Sequence, residues 1–130
     1  MPKVLISDKL SDEARRIFES RGVAVDVKTG LTPEELMACI GEYDGLAIRS
    51  ATKVTAEALA AATNLKVVGR AGIGVDNVDI PAASQRGVVV MNTPFGNSIT
   101  TAEHAIAMMF ALARQIPAAD ASTQAGKWEK

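Results

Sequence analysis

Five short apolar runs recur along the chain, and a stretch with helix signals lies between each run and the next. The runs are Lys3–Ser7, the alternating Val23, Val25 and Val27, Gly45–Ile48, Lys66–Gly69 and Val88–Met91. Each is short and nearly continuous, as strands buried on both faces require. Between the first two, Ser11 is a candidate N-cap, Ala14, Ile17 and Phe18 fall at helical spacing, and Gly22 closes the helix. Thr32-Pro33-Glu34-Glu35 opens a second helix with an N-cap, a proline and acids at the positive end, running to about Ile40. Thr55 caps a third helix with Leu59 on its inner face, and Asp79–Pro81 opens a fourth that ends near Gly87. From Ser98 a long apolar helix is expected to about Ile116, where Pro117 disturbs it. Ser98 or Thr100 would cap it, and Thr100 and Glu103 have capping-box spacing.

Strands alternating with helices predict an α/β fold: a five-stranded parallel sheet covered on both faces. The expected order is 2-1-3-4-5, the flavodoxin-like variant of the Rossmann-like architecture. In such sheets ligands bind outside the carboxyl ends of the strands, so the loops starting at Asp8, Arg49 and Arg70 are the places to look.

Composition narrows the function. The chain has 130 residues, 48% hydrophobic but only 4% aromatic, so its core is aliphatic. A net charge of −1 argues against nucleic acid and confines any anion site to a local cluster. Cys39 is the only cysteine, so no internal disulfide forms, and a reducing, cytoplasmic setting is expected. Residues 1–8 lack a signal-peptide run, and the apolar stretch 105–113 is too short to span a membrane. No metal-ligand cluster and no G-x-S-x-G elbow occur, and the lone His104 reads as structural.

Three loops carry candidate chemistry. Arg49-Ser50-Ala51-Thr52-Lys53 combines a planar cationic fork, two hydroxyls and a point charge. In isolation such a run is a solvated basic corner; at the switch point of the sheet it reads as a small-anion site. Gly69–Asn77 contains Gly72-x-Gly74 but holds Asn77 where a dinucleotide fingerprint needs glycine, and it follows the fourth strand. It is either an amide-rich loop that approaches a carboxylate or phosphate, or a tight turn packed under the next helix. Asn92–Ser98 is largely a rigid turn and cap, with Asn97 as its candidate ligand contact. The stretch 105–113 is apolar on every side, so self-association through helix 98–116 is expected.

The blocks RSATKV at 49–54, VVGRAGIGVDNVD at 67–79, VMNTPFGNSITTAEH at 90–104, ALARQIP at 111–117 and Gly126-Lys127-Trp128 together resemble the D-isomer-specific 2-hydroxyacid dehydrogenases. RSATKV, ALARQIP and GKW resemble their phosphoglycerate branch. The resemblance covers essentially the whole chain. It implies a piece of a longer, two-domain NAD enzyme: residues 1–97 from the substrate-binding domain, and 98–130 the crossing helix and the start of the NAD-binding domain. The implied reaction is oxidation of 3-phospho-D-glycerate to 3-phosphooxypyruvate, the first step of serine biosynthesis. The family's catalytic Arg, Glu and His and its dinucleotide fingerprint are absent from these 130 residues, so no catalytic residue is assigned and the chain alone is expected to be inactive, with little or no NAD binding. By resemblance, Arg49 and Ser50 hold the phosphate side of the substrate. Ala71 and Gly72 offer amides to its carboxylate, and Asn97 touches it. Lys130 reaches a partner subunit's site. Ile73, beside Gly74, faces the nicotinamide end of NAD. The rival readings are a glyoxylate/hydroxypyruvate-reductase type of 2-hydroxyacid dehydrogenase, or a non-catalytic flavodoxin-like binding or dimerisation module. A phosphorelay receiver is excluded, because Arg49 and Asn92 stand where it needs Asp and Lys.

Overall fold

The computed structural model describes residues 1–127. Two compact units divide the chain, Met1–Gly96 and Asn97–Lys130.

The first unit is the expected sheet. Strands β1 (Lys3–Ile6), β2 (Ala24–Val27), β3 (Gly45–Ile48), β4 (Val67–Arg70) and β5 (Val89–Met91) lie in the order β2-β1-β3-β4-β5. Every neighbouring pair is parallel, with Ile6 opposite Ala47, Ile48 opposite Arg70 and Gly69 opposite Met91. Helices α1 (Asp12–Ser20), α2 (Pro33–Cys39), α3 (Ala56–Ala61) and α4 (Ile80–Gln85) connect the strands, with a single 3₁₀ turn at Ile40–Glu42 finishing α2.

Alternation along each strand divides the core. Leu5, Leu46, Ile48 and Val68 point to one face and pack with Leu36, Ile40, Leu59 and Ala83. Val4, Ile6 and Ala47 point to the other and pack with Leu10, Phe18, Val23 and Val25. Gly45 is required by this packing: a Cβ there would sit 3.0 Å from Val4 Cγ2 and 3.4 Å from Val67 Cγ1, side chains of the two flanking strands. Over β5 the second face is bare, with Val89 and Met91 each 58% exposed.

Local signals account for the helix ends. Thr32 forms a full capping box with Glu35, and Thr55 and Asp79 accept from the amides of Ala58 and Ala82. Ser11 occupies the N-cap of α1 with no side-chain bond. Gly22 follows α1 at φ +73°, where its missing Cβ removes the steric penalty.

The second unit corrects the expectation of one long apolar helix over 98–116. Helix α5 spans Ser98–Ala113, none of its residues is buried, and α6 (Ile116–Gln124) follows. The cause is Pro117, whose ring would strike the carbonyl four residues earlier, that of Ala113. The chain reverses through Gln115 at φ +50°, then restarts with Pro117 in a first turn that needs no amide from it. The cap is also corrected: Asn97 is the N-cap, without a side-chain bond, and its carbonyl accepts from Thr101. Ser98 and Thr100 lie inside the helix. Cys39 is half-buried, its thiol directed at the Leu36 carbonyl 3.6 Å away. Among the described residues no helix is long and apolar enough to cross a membrane, and no three His, Cys, Asp or Glu are grouped to hold a metal.

Leu5 is fully buried at the centre of the larger core cluster. Leu5→Ala should cost about 2–5 kcal/mol through lost transfer energy and the cavity left behind. Urea unfolding followed by circular dichroism should show a lower midpoint at unchanged slope.

Candidate functional site

All five strands run the same way, so their carboxyl ends lie along one edge of the sheet. The loops after β1, β3, β4 and β5 therefore form a continuous rim. Ser7 N–H donates to the Ala47 carbonyl, Ala71 N–H to Ile48, and Thr93 N–H to Gly72. The Asn92 side chain adds a bond from Nδ2 to the Ile73 carbonyl at 2.7 Å. Residues some 40 positions apart in sequence are thus neighbours because the ladder places them in register.

The segment Arg49–Lys53 is irregular, yet it is held from two sides. On one side is Asp8, a buried carboxylate with 6% exposure. It accepts from Arg49 N at 2.6 Å, from Thr52 N at 3.1 Å and from the Thr52 hydroxyl at 2.7 Å. The Ser7 hydroxyl lies 2.9 Å from that of Thr52. On the other side is Asn77, whose Nδ2 donates to the carbonyls of Arg49 at 2.7 Å and Thr52 at 2.6 Å. Backbone bonds continue the seam from Val54 N to Asn77 O and from Asp79 N to Val54 O. Burial alone would push the Asp8 carboxyl up, but the Thr52 hydroxyl and the amides of Arg49, Thr52 and Ala51 outweigh it and hold the group below its ordinary value.

The second loop is organised by Arg70. Its side chain is only 11% exposed; Nε donates to the Arg49 carbonyl at 3.3 Å and Nη1 pairs with Asp76 Oδ1 at 3.1 Å. Asp76 is held below its usual range by this contact with Arg70. The guanidinium lies so close over the loop that a Cβ on Gly74 would come within 2.8 Å of both Arg70 Nη1 and Asp76 Oδ1. A side chain at 74 would have to displace the ends of Arg70 and Asp76.

What remains open on the rim is cationic and polar. Arg49, Ser50 and Lys53 are exposed, and among the described residues neither Arg49 nor Lys53 forms an ion pair. Among the described residues the only hydrogen bond of the Arg49 guanidinium is a 3.5 Å approach of Nη1 to the Lys9 carbonyl, at the limit of such a bond. The open hollow of about 480 Å³ beside Lys53 is lined by Ser50 and Thr55, but also by Asp76 and Asp79, and its mixed charge does not favour an anion. Arg49 does not line it.

The structure changes several roles. The Thr52 hydroxyl is spent on Asp8 and is not a free donor. Ala71 N–H continues the ladder by bonding Ile48 O, and Gly72 N–H closes a tight turn on Arg70 O, so neither amide is open as expected. In this loop the N–H groups of residues 73–77, Ile73 and Gly74 among them, find no hydrogen-bond partner among the described residues. Arg49, Ser50 and the 71–74 loop share the rim of the first unit. Asn97 belongs to the second unit, and His104 is exposed there. Lys130 lies outside the described residues. In sequence Asp8 and Arg70 mark only the starts of loops and Asn77 only a break in the dinucleotide fingerprint, and none of the three carries an assigned role. The one available signal was a polar Ser7-Asp8 ending an apolar strand at the switch point.

The sequence model for "D-isomer specific 2-hydroxyacid dehydrogenase, catalytic domain" matches residues 4–126. A D-3-phosphoglycerate dehydrogenase of Archaeoglobus fulgidus is 55% identical over 128 residues, which is 98% of this chain and 24% of that protein. The chain thus spans about a quarter of the length of the curated relatives it matches. Among solved structures, a protein from Pyrococcus horikoshii OT3 superposes at TM-score 0.86 with 32% identity, over all of this chain and 39% of that one. A cofactor (NAD+)-bound 3-phosphoglycerate dehydrogenase of Entamoeba histolytica superposes at 0.74 with 32% identity, over 85% and 38%.

Because the folded Asp8 titrates below its ordinary value of 3.8, the stability it contributes is present above that value and is lost as pH falls through the folded one. Asp8→Asn should cost about 1.5–3 kcal/mol at neutral pH, the worth of hydrogen bonds to a charged group. The gap to the parent should narrow as the solution is acidified below pH 3.8. Urea midpoints across that range measure it, and a gap independent of pH would count against the assignment.

Proposed function

The chain belongs to the D-isomer specific 2-hydroxyacid dehydrogenase family, and we propose that it supplies the substrate-gripping part of an NAD-dependent oxidoreductase acting on 3-phospho-D-glycerate. The product is 3-phosphooxypyruvate, and the step opens serine synthesis. The supporting observation is the rim itself: an unpaired, exposed Arg49 and Ser50 on a rigidly held loop, next to a second loop with open amides.

The substrate carries an anion at each end. Arg49 offers two donors in a plane suited to phosphate, and Ser50 adds a hydroxyl. The 71–74 loop takes the carboxylate end, with the N–H groups of Ile73 and Gly74 as donors in place of those of Ala71 and Gly72. Asn97 is a further substrate contact in this reading, and Lys130 a basic group for a partner's site. The contribution of this chain is binding and orientation, which brings the reacting carbon into reach and lowers the entropic part of the barrier.

NAD, when bound, accepts the hydride from C2 of the substrate. The residues present fit only its nicotinamide edge: Ile73 is 44% exposed and offers an aliphatic contact without a hydrogen bond. The phosphate-binding fingerprint is interrupted at Asn77, whose side chain is engaged with the 49–52 carbonyls. No proton transfer is assigned to His104.

Titrating the 130-residue chain with 3-phosphoglycerate should shift the amide resonances of Arg49, Ser50, Ile73 and Gly74. Arg49→Ala should weaken binding about 10- to 100-fold, the loss of a charge-assisted contact, while binding of unphosphorylated D-glycerate, weak in both, should not change. Equal affinities for the two ligands would remove the phosphate assignment. The same preparation given NAD and 3-phosphoglycerate should form no NADH; its appearance would contradict the expectation that catalysis needs residues beyond these.

Helix α5 exposes Met109 (61%), Phe110 (63%) and Leu112 (74%), an apolar surface that favours a second copy. Light scattering at increasing concentration should show a rising mass. A strictly monomeric mass at millimolar chain would refute self-association through residues 98–116.

A further inference from the structure

We propose that Asp8 and Asn77 are positioning residues for the anion site: together they hold the Arg49–Thr52 segment in its ligand-ready shape, and ligand affinity depends on both although neither touches the ligand. This rests on the functional reading above.

The segment has no secondary structure of its own, so its shape must come from side chains. Asp8 collects the donors that point down, the amides of Arg49 and Thr52 and the Thr52 hydroxyl. Asn77 collects the acceptors on the opposite side, the carbonyls of Arg49 and Thr52. The same two residues are gripped by their N–H and by their C=O. Little freedom is left between them except for the side chains of Arg49 and Ser50, which face out.

The orientation of Asn77 shows which interaction dominates. Its Oδ1 is buried and has no hydrogen-bond partner among the described residues. Leaving a buried acceptor unpaired is costly. Turning the amide over would set that oxygen against two carbonyls 2.6–2.7 Å away, which is repulsive. The two carbonyls of this loop therefore set the orientation of the Asn77 side chain.

Asp8 places a negative charge beneath a site for anions. That is tolerable because the charge is saturated by three donors, all from the loop itself. Those donors are in turn unavailable to the ligand, which is left with the Arg49 guanidinium and Ser50. Without the clamp the ligand would have to order the loop on binding, and fixing the backbone of a single residue is enough for about a tenfold loss of affinity.

The test compares Asn77→Ala, Thr52→Val, Thr52→Ser and the core variant Leu5→Ala in the 130-residue chain, titrated with 3-phosphoglycerate by NMR. Asn77→Ala and Thr52→Val should bind at least about tenfold more weakly. Thr52→Ser, which keeps the hydroxyl between Asp8 and Ser7, should bind like the parent, and Leu5→Ala should lose stability without losing affinity. If Asn77→Ala does not fold, the Thr52 pair decides alone. Parental affinity in Asn77→Ala and Thr52→Val overturns the proposal, as does an equal loss in Leu5→Ala or in Thr52→Ser. If the parent itself does not bind 3-phosphoglycerate, the functional reading fails separately. The clamp is then judged without ligand, from hydrogen exchange at the Arg49 and Thr52 amides: acceleration of tenfold or more in Asn77→Ala supports it, and unchanged exchange overturns it.

Discussion

A carboxylate removed from water must find donors, and Asp8 finds all of its own in one irregular segment. The need to solvate that charge internally bends Arg49–Thr52 into a fixed curve. The curve turns the Arg49 side chain outward and leaves it without an acidic partner. It also brings the Thr52 and Arg49 carbonyls to where Asn77 reaches both. The open cationic rim, the unpaired Asn77 oxygen and the seam between Val54 and Val78 all follow from the segment being held there.

The parallel sheet makes this possible. Asp8 follows β1 and Arg49 follows β3, two strands adjacent in space because β2 is added on the outer side of β1. A strand order of this kind opens a crevice at its reversal point, and here the crevice is closed from below by a charge rather than by apolar packing. The next strand continues the logic. Arg70 ends β4, reaches back to the Arg49 carbonyl and lies over the glycine loop, where a Cβ at Gly74 would displace the ends of the Arg70 and Asp76 side chains. The loops after β3 and β4 thereby stand side by side and share hydrogen bonds.

The second unit obeys a different constraint. Pro117 cannot sit in the interior of a helix without striking Ala113, so α5 stops at Ala113, short of the expected Ile116, and a further helix starts after a left-handed residue. The apolar side chains of α5 remain exposed in the isolated chain, and this surface is what a second copy would cover.

Much of the first unit was legible along the chain. Strand and helix alternation, the N-cap at Thr32 and the stop at Gly22 are set by interactions between residues a few positions apart, or by periodicity that can be counted along the chain, and the strand order follows from the packing rules of such alternating folds. Arg49 and Ser50 could be picked out because their chemistry is open and their loop follows a strand. Asp8 and Asn77 could not, because their roles exist only through partners 41–44 and 25–28 positions away, joined by register and not by spacing. The same holds for the Ala71 amide and the Thr52 hydroxyl: each is a donor in sequence, and only the folded ladder and the buried carboxylate decided that both were already taken. Local chemistry determined which groups this chain possesses; long-range hydrogen bonding, which no nearest-neighbour pattern encodes, decided which of them remain free to meet a ligand.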